Sequence, residues 1–120
     1  SRGANHVTFV ENYPISLEIL DKNITNLNLK DKCNIIEDDI FKNLNFEVLK
    51  KKFDLIFLDP PFIEKNILNL LLKIKQSNVL KNEGILILHR NSKDKNLLAS
   101  KFKILEEKKY GISRIIFAKL

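Results

Sequence analysis

Asp59-Pro60-Pro61-Phe62 follows directly on the apolar run Phe53-Asp54-Leu55-Ile56-Phe57-Leu58. That run has the β-branched and aromatic content of a buried strand. The two prolines forbid the chain from continuing as strand or helix. A carboxylate, two free backbone carbonyls and an aromatic face are therefore expected together at the carboxyl end of a strand, where open α/β sheets bind ligands. Two further acidic positions end apolar runs: Glu11 after Val7-Thr8-Phe9-Val10, and Asp39, with Asp38 beside it, after Ile35-Ile36. Each has a plain structural alternative. Residues 59–62 could be an Asp-Pro turn with a core Phe, Glu11 an exposed acid before a helix, and Asp38 or Asp39 a helix N-cap.

The elements that must position these residues alternate between apolar runs and amphipathic segments. Val7–Val10 reads as a buried strand. Pro14 suits the first turn of a helix, and Leu17, Leu20, Ile24 and Leu27 give that helix one apolar face. Asn34–Ile36 is a short strand, Asn43 to Lys50 a short helix, and Asp54–Leu58 the strand before the two prolines. Ile67, Leu70, Leu71 and Ile74 mark a second amphipathic helix that fades near Gln76-Ser77-Asn78. Gly84 punctuates before Ile85–Leu88, an apolar run expected to be a central parallel strand with both faces buried. Asp94 to Ser100 is a weak helix at most. Residues 102–109 and 112–118 flank Tyr110-Gly111 as an antiparallel hairpin. Alternating β and α implies a mostly parallel sheet with helices on both faces, modified by that hairpin at one edge.

Composition sets bounds on this plan. The 120 residues are 44% hydrophobic and 30% charged, which suits one globular domain spanning 1–120. The formal charge of +6 is compatible with a polyanionic partner and equally with a Lys-rich solvated surface. Lys50-Lys51-Lys52 lies at the amino end of its strand, away from the expected site. Arg90, at the carboxyl end of its strand, is the better candidate for a phosphate contact. Cys33 is the only cysteine, so no internal disulfide is possible. His6 and His89 lack partners at ligand spacing, so no metal site is expected. No apolar run approaches the roughly 20 residues of a membrane span and no signal peptide is read, which makes a cytoplasmic protein the default.

Two βα folds fit the pattern. A phosphorelay receiver domain has this length, and Glu11 and Asp59 could serve as its acidic cluster and phospho-acceptor. Against it, Pro60-Pro61 would stiffen the acceptor loop, His89-Arg90 follows Leu88 where a Ser or Thr is needed, and no closing helix follows the last strand. The second fold is a methyltransferase. Asp59-Pro60-Pro61-Phe62 resembles the (Asp/Asn)-Pro-Pro-(Phe/Tyr) motif of S-adenosylmethionine-dependent enzymes that methylate exocyclic base amines. The opening Ser1-Arg2-Gly3-Ala4, then Val7-Thr8-Phe9-Val10-Glu11, looks like the RsmD family, which methylates a guanine N2 amine in 16S ribosomal RNA. The likeness runs along nearly the whole chain, including Lys109-Tyr110-Gly111.

The resemblance implies a Rossmann-like class I methyltransferase sheet, with ribosomal RNA or the small ribosomal subunit as partner. It implies that Asp59 and the Pro60 carbonyl accept from the amine, that Pro61 fixes the turn, and that Phe62 stacks on the base, a contact worth about 1–3 kcal/mol. It gives Glu11, with Asn12 beside it, to the ribose of S-adenosylmethionine, Asp39 to the adenine amine and Ile40 to the adenine ring. His89-Arg90 departs from the acid that relatives often carry nearby, and no role is carried over to it. The family's first strand and glycine-rich loop would precede Ser1. On that reading the chain is an N-terminally truncated piece that binds the cofactor weakly or not at all, with strands 7–10 and 54–58 left as sheet edges. A DNA adenine-N6 methyltransferase is the alternative within the class, because the tetrapeptide serves both amines.

Overall fold

The computed structural model describes residues 3–42, 45–94 and 98–120, apart from the side chains of Val48 and Ala99. The chain divides into two compact units, Ser1–Leu44 and Asn45–Leu120. No described helix is long and apolar enough to cross a membrane.

In the first unit, β1 (Val7–Glu11) pairs in parallel with β2 (Cys33–Glu37), from Val7 opposite Cys33 to Glu11 opposite Glu37. The connection is α1 (Pro14–Asn26), with Pro14 in its first turn, where a missing N–H costs nothing. Ile24 is its one buried residue. Leu27 was expected on the apolar face, but it is the C-cap and is exposed. The helix ends there because Asn28 turns left-handed at φ 54°, and the Leu29 N–H returns to the Ile24 carbonyl. Asn tolerates that conformation better than most residues.

The second unit opens with a 3-10 turn at Phe46–Leu49, capped by the Asn45 side chain, where a short helix from Asn43 to Lys50 was expected. Asn43 and Leu44 lie outside the described residues. The unit continues with β3 (Phe53–Leu58), α2 (Ile67–Ser77), β4 (Leu80–Asn91), β5 (Lys103–Tyr110) and β6 (Ser113–Lys119), in sheet order β3-β4-β6-β5. β3 and β4 are parallel, and β6 runs antiparallel to both β4 and β5. Within its own unit β1 is an edge of the two-stranded sheet, and β3 is an edge of the four-stranded one. A 3-10 turn at Leu98–Ser100 stands where a weak helix from Asp94 was expected, with residues 95–97 outside the described set. The hairpin turns at Gly111, whose φ of +59° suits glycine.

The core of this unit comes from one stripe of α2 (Ile67, Leu70, Leu71, Ile74) and one sheet face (Leu58, Leu86, Leu88, Ile116, Ala118). Each fully buried aliphatic side chain is worth about 1.5–3 kcal/mol. The opposite face is more open. Ile85 and Ile87 are half-buried, and Leu55 and Phe57 on β3 are 53% and 56% exposed. The expectation that Ile85–Leu88 is buried on both faces therefore needs correction. β4 also begins well before Gly84. It pairs Leu80 with Phe53, then makes an irregular excursion before Ile85 meets Leu55.

Candidate active site

The paired part of β3 ends at Leu58 opposite Leu88. β4 runs further, so His89 and Arg90 stand beside the loop that begins at Asp59. Successive side chains on a strand point to opposite faces. His89 and Arg90 therefore reach that loop from its two sides.

Arg90 is on the buried face, 7% exposed. Its Nη1 donates to the Pro61 carbonyl at 3.0 Å, and its Nη2 donates to the carbonyls of Phe62 at 3.1 Å and Glu64 at 2.8 Å. Nη2 also lies 2.8 Å from Asp94 Oδ2. That pair is close without being aligned as a hydrogen bond, since Asp94 Oδ2 is buried with no hydrogen-bond partner. The Glu64 N–H closes the turn on the Pro61 carbonyl at 2.9 Å. The phosphate contact expected of Arg90 is thus corrected. The guanidinium is spent on the loop's own carbonyls, because a buried charge must be paired and hydrogen-bonded inside the fold.

His89 lies on the other face. Its Nδ1 is 2.8 Å from Asp59 Oδ1 and its Nε2 is 3.0 Å from Ser113 Oγ. Its ring meets the Phe62 ring edge-on, with centroids 5.4 Å apart and planes at 78°. Asp59 is exposed, and Phe62 is 36% exposed. Sequence reasoning gave His89 no role. The available signal was its place two residues from a strand end, on the strand after the tetrapeptide.

The acceptors around the loop are used unequally. Pro61, Phe62 and Glu64 carbonyls are taken by Arg90. Among the described residues nothing donates to the Pro60 carbonyl or to Asp59 Oδ2. Of the two carbonyls expected to be free, Pro61 is occupied; that of Pro60, a buried residue, takes no hydrogen bond from described residues.

In the first unit the strand ends bring the acids together. The Asp38 N–H donates to the Glu11 carbonyl at 3.1 Å, extending the β1–β2 ladder. Glu11 Oε1 accepts the N–H groups of Asn12 and Tyr13, each at 3.0 Å, so the carboxylate is folded over the start of α1. Asp38 Oδ1 accepts from the Asp39 N–H at 2.7 Å, and Asp39 Oδ1 accepts from Phe41 at 2.9 Å. Asp39 closes an Asx turn and does not cap a helix. Ile40 is half-buried in that turn and Asn12 is exposed. Glu11 Oε2 and Asp39 Oδ2 take no hydrogen bond from described residues. Two fixed carboxylates with open oxygens fit the O–H and N–H donors of a nucleoside.

Residues 3–42, and residues 45–94 with 98–120, each build part of a Rossmann-like α/β architecture of the class I methyltransferase type. The chain has a TM-score of 0.82 to a conserved hypothetical protein of Streptococcus pyogenes, at 21% identity over 99% of this chain and 74% of that one. It has a TM-score of 0.75 to a candidate methylase of Haemophilus influenzae, at 23% identity over 96% of this chain and 72% of that one. A methyltransferase of Podospora anserina, solved with SAH bound, gives 0.69 at 11% identity over 96% of this chain and 61% of that one. No curated protein matches the chain. The model of the family described as Conserved hypothetical protein 95, an RsmD-like family, matches residues 1–119, and the chain belongs to that family.

Proposed function

We propose that the chain carries the base-amine site of an S-adenosylmethionine-dependent methyltransferase acting on a guanine N2 in 16S ribosomal RNA. The observation that carries this reading is the pair of acceptors that take no hydrogen bond from described residues, Asp59 Oδ2 and the Pro60 carbonyl, beside the partly exposed Phe62 ring.

A base amine is a poor nucleophile because its lone pair is delocalised into the ring. Two acceptors aimed at its two N–H groups turn the lone pair out of the ring plane and stabilise positive charge growing on nitrogen. Asp59 Oδ2 accepts one N–H and the Pro60 carbonyl the other. Arg90 holds the carbonyls of Pro61, Phe62 and Glu64, so the backbone that follows Pro60 is fixed. Phe62 offers a face on which a base can stack. S-adenosylmethionine, when bound, supplies an electrophilic methyl on a sulfonium. Glu11 and Asp39 are the residues assigned to its ribose and adenine. The formal charge of +6 is compatible with a polyanionic partner such as RNA.

The test is methylation of 16S ribosomal RNA, naked or in the small subunit, by the intact protein and its Asp59→Ala variant. The variant is expected to lose at least about 100-fold in kcat, the scale for removing one transition-state partner, while its affinity for S-adenosylhomocysteine in calorimetry is unchanged. Full turnover by Asp59→Ala would refute the role of the carboxylate. Methylation of adenine N6 in DNA, with RNA untouched, would replace the substrate.

A further inference from the structure

We propose that His89 is a positioning residue for this reaction, setting which oxygen of Asp59 meets the amine and where Phe62 stands; the assignment rests on the base-amine reading above. The contacts that carry it are Nδ1 to Asp59 Oδ1 at 2.8 Å, Nε2 to Ser113 Oγ at 3.0 Å, and the edge-on ring contact with Phe62.

An ionised carboxylate only accepts, so the ring proton of a neutral His89 must sit on Nδ1. Nε2 is then an acceptor, and the Ser113 hydroxyl donates to it. Each contact supports the other: Asp59 selects the tautomer, and Ser113 is the one partner of the three that can donate to Nε2. In water the neutral ring favours the opposite tautomer, so the arrangement is a specific state of the folded chain. Its effect on Asp59 is geometric. With Oδ1 tied, rotation of the carboxylate is stopped and Oδ2 is left as the oxygen for substrate. The same ring buttresses Phe62, so the amine acceptor and the stacking surface are referenced to a single side chain on β4.

These three side chains have the connectivity of a serine-hydrolase triad. The exposures run the other way. The Asp59 side chain is 57% exposed, the His89 side chain 23%, and Ser113 is half-buried. The end of the chain that can meet a substrate is the carboxylate, and Ser113 is its anchor.

Two measurements test the assignment in the intact protein. The first is imidazole nitrogen NMR on uniformly labelled protein, which reads the tautomer without any turnover. His89 is expected as the Nδ1–H form, reverting toward Nε2–H in Asp59→Ala. An Nε2–H ring in the wild type would overturn the proposal. The second is methyl transfer to 16S ribosomal RNA by His89→Ala, His89→Asn and His89→Gln. An Asn amide nitrogen lies where Nδ1 was, whereas a Gln amide reaches only toward Nε2. His89→Ala and His89→Gln are expected to lose about tenfold in kcat with unchanged S-adenosylhomocysteine affinity, and His89→Asn to recover most of that loss. Wild-type kcat in His89→Ala, or no recovery in His89→Asn, would overturn the proposal. If the wild type transfers no methyl to RNA, it is the base-amine reading that fails, and the tautomer measurement still decides whether His89 holds Asp59.

Discussion

Removing the Arg90 guanidinium should release the loop that follows β3, and Arg90→Met is the perturbation that does so at similar volume. The side chain donates to three carbonyls, at 3.0, 3.1 and 2.8 Å, and stands 2.8 Å from Asp94 Oδ2. Hydrogen bonds to a charged group contribute about 1.5–3 kcal/mol each. Those figures do not add, because all three carbonyls share one donor group. They are further reduced because Pro61 and Phe62 are exposed and their carbonyls can return to water. What remains is a buried carboxylate oxygen without its cation; breaking a fully buried pair costs about 3–5 kcal/mol, and the Asp94 side chain is 33% exposed. The expected loss is therefore near the low end, about 3 kcal/mol, a large share of a domain's total of about 5–15. Urea unfolding measures it. Asp94→Asn keeps the carbonyl contacts and should cost only about 1 kcal/mol. In native-state hydrogen exchange the Glu64 amide, bonded to the Pro61 carbonyl, should lose protection in Arg90→Met and keep it in Asp94→Asn. A loss below about 1 kcal/mol in Arg90→Met, with Glu64 still protected, would show that the loop holds itself and that the reasoning from buried charge is wrong.

Two further outcomes follow from the sheet. A Cβ on Gly84 would lie 2.6 Å from Leu80 Cδ1 and 2.8 Å from the Lys81 carbonyl oxygen, so Gly84→Ala should cost about 1–3 kcal/mol through forced backbone movement; an unchanged melting temperature would contradict it. Glu83 on β4 is hydrogen-bonded to Lys119 on β6 at 2.8 Å, and that bond and the Lys119 charge lower its carboxyl below the ordinary value. The ionised pair therefore adds stability above the unfolded carboxylate range, and this is lost as pH falls through the lower folded value. The melting temperatures of wild type and Glu83→Gln should converge on acidification, and a difference that persists unchanged into acid would exclude the pair as its source.

The elements that sequence reasoning located well are those whose signal is local. Ile67, Leu70, Leu71 and Ile74 repeat at helical spacing, and all four are buried on α2. Tyr110-Gly111 marks a hairpin because the turn needs a residue at positive φ, and Gly111 has it. Asp59 was placed at a strand end because proline cannot continue a ladder. Where the outcome depends on a partner remote in sequence, the signal is absent. Gly84 looks like a boundary, yet the Phe53–Leu80 pairing starts β4 earlier. Arg90 looks like a surface cation, yet the carbonyls it binds lie 26 to 29 residues away. The Asp59–His89–Ser113 chain joins three elements, and no spacing rule connects them.

The alternation of His89 and Arg90 along β4 makes the site a matter of parity. Deleting one residue from Ile85–Leu88 would exchange their faces, sending the guanidinium toward Asp59 and the imidazole into the core. Both loop anchors would be lost at once, without any change to the loop itself. The excursion before Ile85 is a different kind of segment. There β4 carries Lys81 to Gly84 between the partners of Phe53 and Leu55, out of step with β3. A change of length at that point can be absorbed before the alternation begins. Among descendants of this chain, insertions and deletions should therefore collect at Lys81–Gly84, and Ile85–Arg90 should keep its length even while its apolar side chains drift.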